Sequence, residues 1–195
     1  LYDGRIAEYP SEDPLFAGIV TAEQVRGAMN NGIYTYVKHF AVNENENGRA
    51  GIKTWLTEQS LRELYLRPFE IAVKRGGTVG IMASMNCIGN TLAKYNGALM
   101  DDVLRNEWGF HGTVITDWEG SGSMLKGLYA GLDLWLTGAQ VKVSAPVDAS
   151  NAMQVTYARK ACHNILWAKV AAYTANQTHD PADDNISVDT DIIVA

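Results

Sequence analysis

The amino-acid sequence predicts an α/β fold in which parallel strands alternate with helices. Segments rich in β-branched and aromatic residues alternate with amphipathic segments, and polar residues gather where the predicted strands end. The pattern contains about four βα units, whereas a closed (β/α)8 barrel needs eight in roughly 250 residues. The chain therefore fits either a small open α/β sheet or a partial, half TIM-type barrel. The polar residues at the strand ends favour the half barrel.

The first unit pairs a helix over residues 14–30 with a strand over 33–42. Pro14 stands in the first helical turn behind three polar residues, which is typical of a helix start. The segment 33–42 has the sequence IYTYVKHFAV, and apart from its Lys and His it has the composition of a buried strand. The predicted apolar face of the helix consists of Phe16, Ile19, Val20 and Val25.

The second unit begins with a helix whose apolar residues recur at steps of three and four. Thr57 or Ser60 is its predicted N-cap, because hydroxyl side chains accept hydrogen bonds from the first turn. Pro68 predicts a kink inside this helix. The pair Gly76 and Gly77 predicts its end.

The remaining predicted strands and helices alternate along the rest of the chain. The strands are predicted over 78–84, 112–118 and 132–136, where β-branched and other apolar residues are concentrated. The helices between them are predicted over about 96–107 and from Met124 to Tyr129.

The C-terminal part is predicted to contain a long amphipathic helix and a polar tail. The helix covers about 147–172, and the acidic residues that follow predict a linker or extended tail over 175–195. A chain of 195 residues suffices for one ordinary domain, which we place at residues 1–174.

Composition and charge exclude several classes of function. With 47% hydrophobic and 19% charged residues, the chain is globular in composition. A net charge of -6 without a Lys/Arg run predicts binding to neither nucleic acid nor an anionic membrane. Charged residues interrupt every apolar stretch before the roughly 20 residues of a membrane helix. Cys87 and Cys162 lack metal-ligand spacing and are expected to be unpaired, buried thiols.

Polar side chains at the carboxyl ends of the strands are the candidate functional residues. Buried charges are costly unless they serve a purpose, and barrel active sites lie at this end. Near the fourth strand, Asp133 stands at the start, where we expect a structural role. The strand-end residues are Lys38, His39 and Arg49 after the first strand, Ser84, Met85 and Asn86 after the second, and Asp117, Trp118 and Glu119 after the third.

The chemistry of Asp117 allows two interpretations. A strand-end carboxylate can cap a helix or be satisfied by local donors. It can also be the nucleophile of a retaining glycosidase, which needs an ionised carboxylate and a proton donor about 5 to 5.5 Å away. Lys38, His39 and Arg49 would favour the ionised form and bind sugar hydroxyls. Trp118 either stacks on a sugar ring or packs in the core.

An ordered series of motifs resembles glycoside hydrolase family 3 over nearly the whole chain, up to about residue 172. GRIAEYPSEDP (4–14) and YVKHFAVNENENGR (36–49) resemble the family segments that contain GR, SEDP and KHF. DDVLRNEWGFHGTVITDW (101–118) resembles the stretch that leads to the nucleophile aspartate. The intervening matches are LRELYLRPFE (61–70), GIMASMN (80–86) and AGLDLWLTG (130–138).

The resemblance implies an O-glycoside hydrolase of β-glucosidase type, acting on a β-glucoside or oligosaccharide through a covalent glycosyl intermediate. It implies the second half of the family's barrel and neither a metal nor an organic cofactor. It assigns the nucleophile to Asp117, the ligands of the -1 sugar to Arg5, Lys38 and His39, the pocket wall to Met82, Met85 and Trp118, and loop support to Glu46 and Arg49.

The sequence also departs from the family pattern. Met85 stands where the family usually has an aromatic residue, commonly Tyr, and a thioether cannot donate a hydrogen bond. Glu44 occupies a position that is often an amide. The family's acid/base glutamate usually comes from a separate α/β sandwich domain, and Glu119, two residues after Asp117, would point the same way and is a poor substitute.

Three hypotheses follow. The first is part of a retaining β-glycosidase. The second is a catalytically inert half barrel with binding residues, whose open sheet edges predict a homodimer or a complementing barrel half and sandwich domain as partner. The third is a Schiff-base aldolase that uses Lys38.

Overall fold

The computed structural model describes residues 4–118, 122–137, 143–144 and 147–178. Its centre is a parallel sheet of three strands in the order β1-β2-β3, flanked by helices. The strands are β1 (Val37–Phe40), β2 (Gly80–Ala83) and β3 (Thr113–Thr116). Strands β2 and β3 run in continuous register from the Gly80–Thr113 pair to the Ala83–Thr116 pair. The predicted α/β class is therefore correct.

All four predicted strands are shorter in the structure, and the first and the fourth differ most from the prediction. Strand β1 has four residues instead of the ten predicted, and Val42 has φ 65°, a conformation outside the extended region in which a strand cannot continue. The peptide bonds Lys38–His39 and Phe40–Ala41 are cis. The predicted fourth strand is reduced to a single parallel bridge between Ile115 and Leu134.

Among the described residues, five helices surround the sheet, and two have the predicted bounds. Thr57, not Ser60, caps the second helix, because its side chain accepts the Ser60 N–H at 3.1 Å. This helix is π-helical directly before Pro68, the residue at which we predicted a kink. The helices are α1 (Pro14–Asn30), α2 (the consecutive segments Glu58–Ser60, Leu61–Leu66 and Arg67–Lys74), α3 (Ala98–Glu107), α4 (Met124–Tyr129) and α5 (Ala152–Thr178).

Helix α1 packs on α2 through small residues rather than through the predicted apolar face. Phe16 is 56% exposed, whereas Gly18 and Ala22 are buried. A Cβ built on Gly18 would lie 2.6 Å from Ile71 Cδ1 in α2, so the two helices approach more closely than larger side chains would allow. The assignment of Phe16 to the buried face was therefore wrong, whereas Val25 of the same predicted face is buried as predicted.

Helix α5 begins and ends later than predicted. The Asn151 side chain caps it by accepting the N–H groups of Met153 and Gln154 at 3.1 and 3.2 Å. The polar residues 175–178 continue the helix instead of starting a tail. Residues 179–195 of the predicted tail, like Glu119, lie outside the described residues.

Short elements complete the described part of the chain. The hairpin formed by Cys87–Ile88 and Thr91–Leu92 leads into a 3-10 turn at Ala93–Tyr95. Cys87 is buried as predicted, but Cys162 is exposed on α5, so that half of the prediction was wrong. The other short elements are the strands Lys53–Thr54, Gly122–Ser123 and Val143–Ser144, and the 3-10 helix Ile6–Glu8.

The main core lies between the sheet and helices α2 and α3. Its largest fully buried apolar side chains are Phe40, Leu66, Ile81, Met100, Leu104 and Leu132. Within the described ranges, no helix is long and apolar enough to cross a membrane.

A buried polar network holds β3 in place behind this core. Asp133 Oδ2 accepts hydrogen bonds from Arg105 Nη2 and from the Val114 backbone N–H, both at 2.7 Å. Its Oδ1 accepts from Asn164 Nδ2 in α5 at 2.8 Å. Arg105 also donates to the carbonyl of Gly112 at 3.1 Å, just before β3 begins. Asp133 therefore has the structural role that its position predicted.

Replacing Asp133 by Asn should lower the free energy of unfolding by about 3 kcal/mol, because the buried Arg105 would lose its counter-ion. Urea denaturation measures this loss. The matched control is Glu23→Gln, which removes a carboxylate from an exposed ion pair with Arg75 and should cost less than about 1 kcal/mol. Equal losses in both variants would contradict the structural importance of the network.

Candidate active site

Three predicted site residues meet at the carboxyl end of the sheet. His39 lies in β1, Asp117 directly follows β3, and Arg5 reaches them from the N-terminal segment. The Nε2 atom of His39 is 3.5 Å from Asp117 Oδ2, and Arg5 Nη1 is 2.8 Å from His39 Nδ1. The side chains are 1% (Arg5), 3% (His39) and 13% (Asp117) exposed, so charge interactions among them are weakly screened.

The contact with Arg5 determines the tautomer of His39. A guanidinium has only donors, so Nδ1 of His39 must accept the hydrogen bond from Arg5 Nη1. In the neutral ring the proton therefore resides on Nε2. This N–H faces the carboxylate of Asp117.

The pKa of His39 is lowered from 6.5 to about 4. Burial is the largest cause, since it disfavours the charged ring, and the Arg5 and Lys38 cations act in the same direction. Asp117 opposes them. His39 is therefore neutral at pH 7 and offers one donor to its surroundings.

Glu46 joins the N-terminal segment to the loop after β1. Its Oε2 accepts from Arg5 Nε at 2.7 Å and from Arg49 Nη1 at 3.4 Å. A backbone bridge between Gly4 and Asn45 lies beside this contact. The structure thus contains an ion pair between Glu46 and Arg49 and places both residues behind Arg5.

Glu8 is a site residue that the sequence analysis did not single out. Its Oε2 accepts from Lys38 Nζ at 3.1 Å and from Arg5 Nη1 at 3.3 Å. Burial alone would raise the pKa of Glu8, but the Lys38 hydrogen bond and the Arg5 charge outweigh it and hold that pKa below its usual value. The sequence signal for Glu8 was its spacing, because it follows Arg5 by three residues on the same short helical turn.

The side chain of Lys38 is linked to the cluster through its hydrogen bond to Glu8. Both residues line a cavity of about 410 Å³ between α1, β1 and α2, which neither His39 nor Asp117 lines. The structure therefore brings Lys38 to the edge of the Arg5–His39–Asp117 cluster rather than into contact with Asp117.

Asp117 has one satisfied and one unsatisfied carboxylate oxygen. Oδ1 accepts the backbone N–H of Trp118 at 2.6 Å. Oδ2 is buried and has no hydrogen-bond partner among the described residues, and the same holds for Arg5 Nη2. A buried polar atom without a partner costs about 1 to 3 kcal/mol, which hydroxyl groups of a ligand would recover.

A cavity of about 380 Å³ opens beside Asp117. Met85 lines it, but the half-buried Met82 does not. The Trp118 side chain is 62% exposed, so it is not a core residue. The lining residues are Ala50, Gly51, Ala83, Ser84, Met85, Leu92, Lys94, Tyr95, Thr116, Asp117 and Gly122.

Lys94 and Tyr95 are two polar lining residues that the sequence analysis did not single out. They belong to the 3-10 turn after the Cys87–Leu92 hairpin, and no strand end or motif marked them. Tyr95 Oη accepts the Ser123 backbone N–H at 2.7 Å, which ties this turn to the segment that follows Asp117.

The described residues contain no group of three or more His, Cys, Asp or Glu side chains arranged to hold a metal ion. Asp117, His39 and Arg5 supply a buried carboxylate, a neutral imidazole and a buried guanidinium. Such a set can bind several hydroxyl groups and present one carboxylate oxygen to a ligand.

Known proteins are similar to this chain in sequence. Beta-glucosidase B from Emericella nidulans is 44% identical over 135 residues, which are 69% of this chain and 16% of that protein. A beta-glucosidase from Rhizobium radiobacter is 40% identical over 136 residues, or 70% of this chain and 17% of the relative. The chain therefore spans about a sixth of the length of these curated relatives.

Solved structures are also similar to this chain. Beta-glucosidase 3B from Thermotoga neapolitana in complex with glucose superposes with a TM-score of 0.78 at 32% identity, covering 91% of this chain and 27% of that one. Beta-D-glucoside glucohydrolase from Trichoderma reesei gives 0.82 at 27% identity, over 90% and 26% of the two chains.

The model of the glycosyl hydrolase family 3 N-terminal domain matches residues 3–155. This match covers more than half of the chain and includes every candidate site residue described above. The chain belongs to glycosyl hydrolase family 3.

Proposed function

We propose that this chain forms the nucleophile-bearing half of the barrel of a retaining β-glycosidase, with Asp117 as the nucleophile. The observation that carries the proposal is the buried Asp117 Oδ2, which has no hydrogen-bond partner among the described residues and lies 3.5 Å from the neutral His39 ring. A carboxylate oxygen left open beside hydroxyl-binding groups is what a retaining mechanism requires.

The proposed reaction has two steps. In the first, Asp117 Oδ2 forms a bond to the anomeric carbon while the bond from that carbon to the leaving oxygen breaks, and a proton donor protonates that oxygen. In the second, water replaces Asp117 at the same carbon and gives up its proton to the same group. The names of the relatives favour a β-glucoside as substrate. We place the proton donor on a part of the whole protein outside this chain.

The cluster around Asp117 supplies the binding groups. Arg5 Nη2 and the Nε2–H of His39 are buried donors that can hold sugar hydroxyls. Glu8 and Glu46 hold Arg5 in place from two directions. We place Met82 and the exposed Trp118 ring on the wall around the sugar, with Lys38 at its rim.

The geometry does not favour the Schiff-base alternative. A Schiff-base lysine must be desolvated to present a neutral amine. Lys38 is 47% exposed and donates to the carboxylate of Glu8 at 3.1 Å. We therefore assign it no covalent role.

An activated 2-deoxy-2-fluoro-β-glucoside should label Asp117 covalently, because the fluorine slows both steps while the good leaving group restores the first. Intact-mass measurement of the chain followed by peptide mapping identifies the labelled residue. Since a good leaving group needs no proton donor, the experiment tests this chain directly.

The Asp117→Asn variant should remain unlabelled, because an amide is not a nucleophile, while the control Asp13→Asn should label like the wild type. A label on another carboxylate would overturn the assignment of Asp117. A chain that stays unlabelled, while a longer protein that contains it labels, would support the inert half barrel. Absence of label in both would contradict the glycosidase function itself.

The neutral His39 predicts a specific pH dependence of stability. Its folded-state pKa of about 4 lies below its unfolded value of 6.5, so the unfolded state binds the proton first as pH falls. The contribution of neutral His39 to the free energy of unfolding is therefore complete above pH 6.5. It decreases towards pH 4 by at most about 1.4 kcal/mol per pH unit. Urea denaturation of His39→Gln between pH 4.5 and 6.5 should therefore show a smaller slope than that of the wild type.

The measurements start at pH 4.5 because carboxylates with lowered pKa values, such as Glu8, change the free energy of unfolding below their usual pKa of 4.5. His163→Gln, which changes an exposed histidine of α5, should keep the wild-type slope. Parallel stability curves for the wild type and His39→Gln would contradict the neutral, buried state of His39.

A further inference from the structure

The wall of the cavity beside Asp117 contains a hydroxyl group that the Arg5–His39–Asp117 cluster does not use. Tyr95 and Gly122 both line this cavity. A Cβ built on Gly122 would clash with Tyr95 Oη, so the phenol oxygen, and not only the ring, lies against a lining residue. Gly122 has φ 126°, a conformation that favours glycine. The Tyr95 hydroxyl therefore lies at the wall of the cavity, in a space that a side chain at position 122 would fill.

Two contacts hold this phenol in position. Its Oη accepts the backbone N–H of Ser123 at 2.7 Å. Lys94 Nζ lies over the ring, 5.5 Å from the centroid, in a cation–π arrangement. A phenol that accepts one hydrogen bond still has its own proton to donate. Among the described residues, no hydrogen bond uses this proton.

Asp117 supplies the complementary group to the same cavity. Its buried Oδ2 can only accept hydrogen bonds, and no described residue donates one to it. A donor and an acceptor without partners thus belong to two residues that line one cavity. An alcohol satisfies both, because its oxygen accepts from Tyr95 while its proton is donated to the carboxylate. A ligand carboxylate would satisfy Tyr95 but would be repelled by Asp117.

The reaction chemistry indicates which hydroxyl of a sugar this is. This step rests on the function proposed above, in which Asp117 attacks the anomeric carbon. The hydroxyl nearest to that carbon in a glucoside is the 2-hydroxyl, on the adjacent ring carbon. Hydrogen bonds to this hydroxyl also strengthen as the transition state of a glycosidase forms. The 2-hydroxyl is therefore the alcohol that comes closest to the Asp117 carboxylate during attack.

We propose that Tyr95 is a substrate-binding residue that selects sugars with a 2-hydroxyl. Its phenol donates a hydrogen bond to the 2-oxygen, and the 2-hydroxyl donates its own proton to the Asp117 carboxylate. A 2-deoxy sugar leaves both the phenol and the carboxylate without a partner, which costs more than the loss of an exposed hydrogen bond. The preference for a 2-hydroxyl over a 2-deoxy sugar thus depends on Tyr95.

The test compares two non-hydrolysable ligands, phenyl 1-thio-β-glucoside and its 2-deoxy counterpart, by isothermal titration calorimetry. The wild-type chain should bind the parent ligand more tightly, and Tyr95→Phe should lower the ratio of the two Kd values about fivefold. Phenylalanine also leaves the Ser123 N–H without its acceptor, but this loss affects both ligands and cancels in the ratio. The control Tyr129→Phe removes a hydroxyl from α4, where the ring packs on Tyr157, and should keep the wild-type ratio.

Each outcome decides the proposal. A wild-type ratio that survives in Tyr95→Phe, or equal affinities of the wild type for the two ligands, would overturn the role of Tyr95. The 2-fluoro glucoside has no 2-hydroxyl, so covalent labelling of Asp117 tests the glycosidase function independently of Tyr95. Failure of both ligands to bind would also overturn the role of Tyr95, and absence of the label in addition would contradict both proposals for this chain.

Discussion

The buried guanidinium of Arg5 is the interaction on which the site depends. It connects three separate parts of the chain, namely the N-terminal segment, strand β1 and the loop that carries Glu46. Because it can only donate, it also determines which nitrogen of His39 bears the proton. Two acidic residues, Glu8 and Glu46, offset the cost of burying its charge. The orientation of His39 towards Asp117 follows from this one residue.

A second buried arginine, Arg105, holds strand β3 in place behind the sheet. Arg105 and Asp133 fix the start of β3 and its neighbouring segment, and Asn164 extends the network to α5. Asp117 follows the last residue of β3, so its position relative to His39 depends on where this network holds the strand. The two networks lie on different elements, yet together they set the distance of 3.5 Å between His39 and Asp117.

Local sequence signals predicted local structure well. The Pro14 start of α1 and the bounds of α4 follow from capping residues and apolar spacing close to each helix. The length of β1 was not predictable in this way, because Val42 adopts a conformation that its β-branched side chain disfavours. Motif resemblance singled out Arg5, His39 and Asp117 as candidate site residues. Glu8 and Tyr95 escaped because their contacts join residues about 30 positions apart in the sequence.

Position 85 shows that the residues of a family motif do not by themselves determine which chemical groups line the cavity. Met85 lines the cavity as its position in the motif implies, but its thioether cannot donate a hydrogen bond. Tyr95, ten residues later, brings a phenolic hydroxyl to the same cavity. That hydroxyl accepts from Ser123 N–H at 2.7 Å and retains its own proton for donation. The cavity therefore contains a phenol although position 85 lacks an aromatic residue, because the 3-10 turn after the hairpin supplies Tyr95.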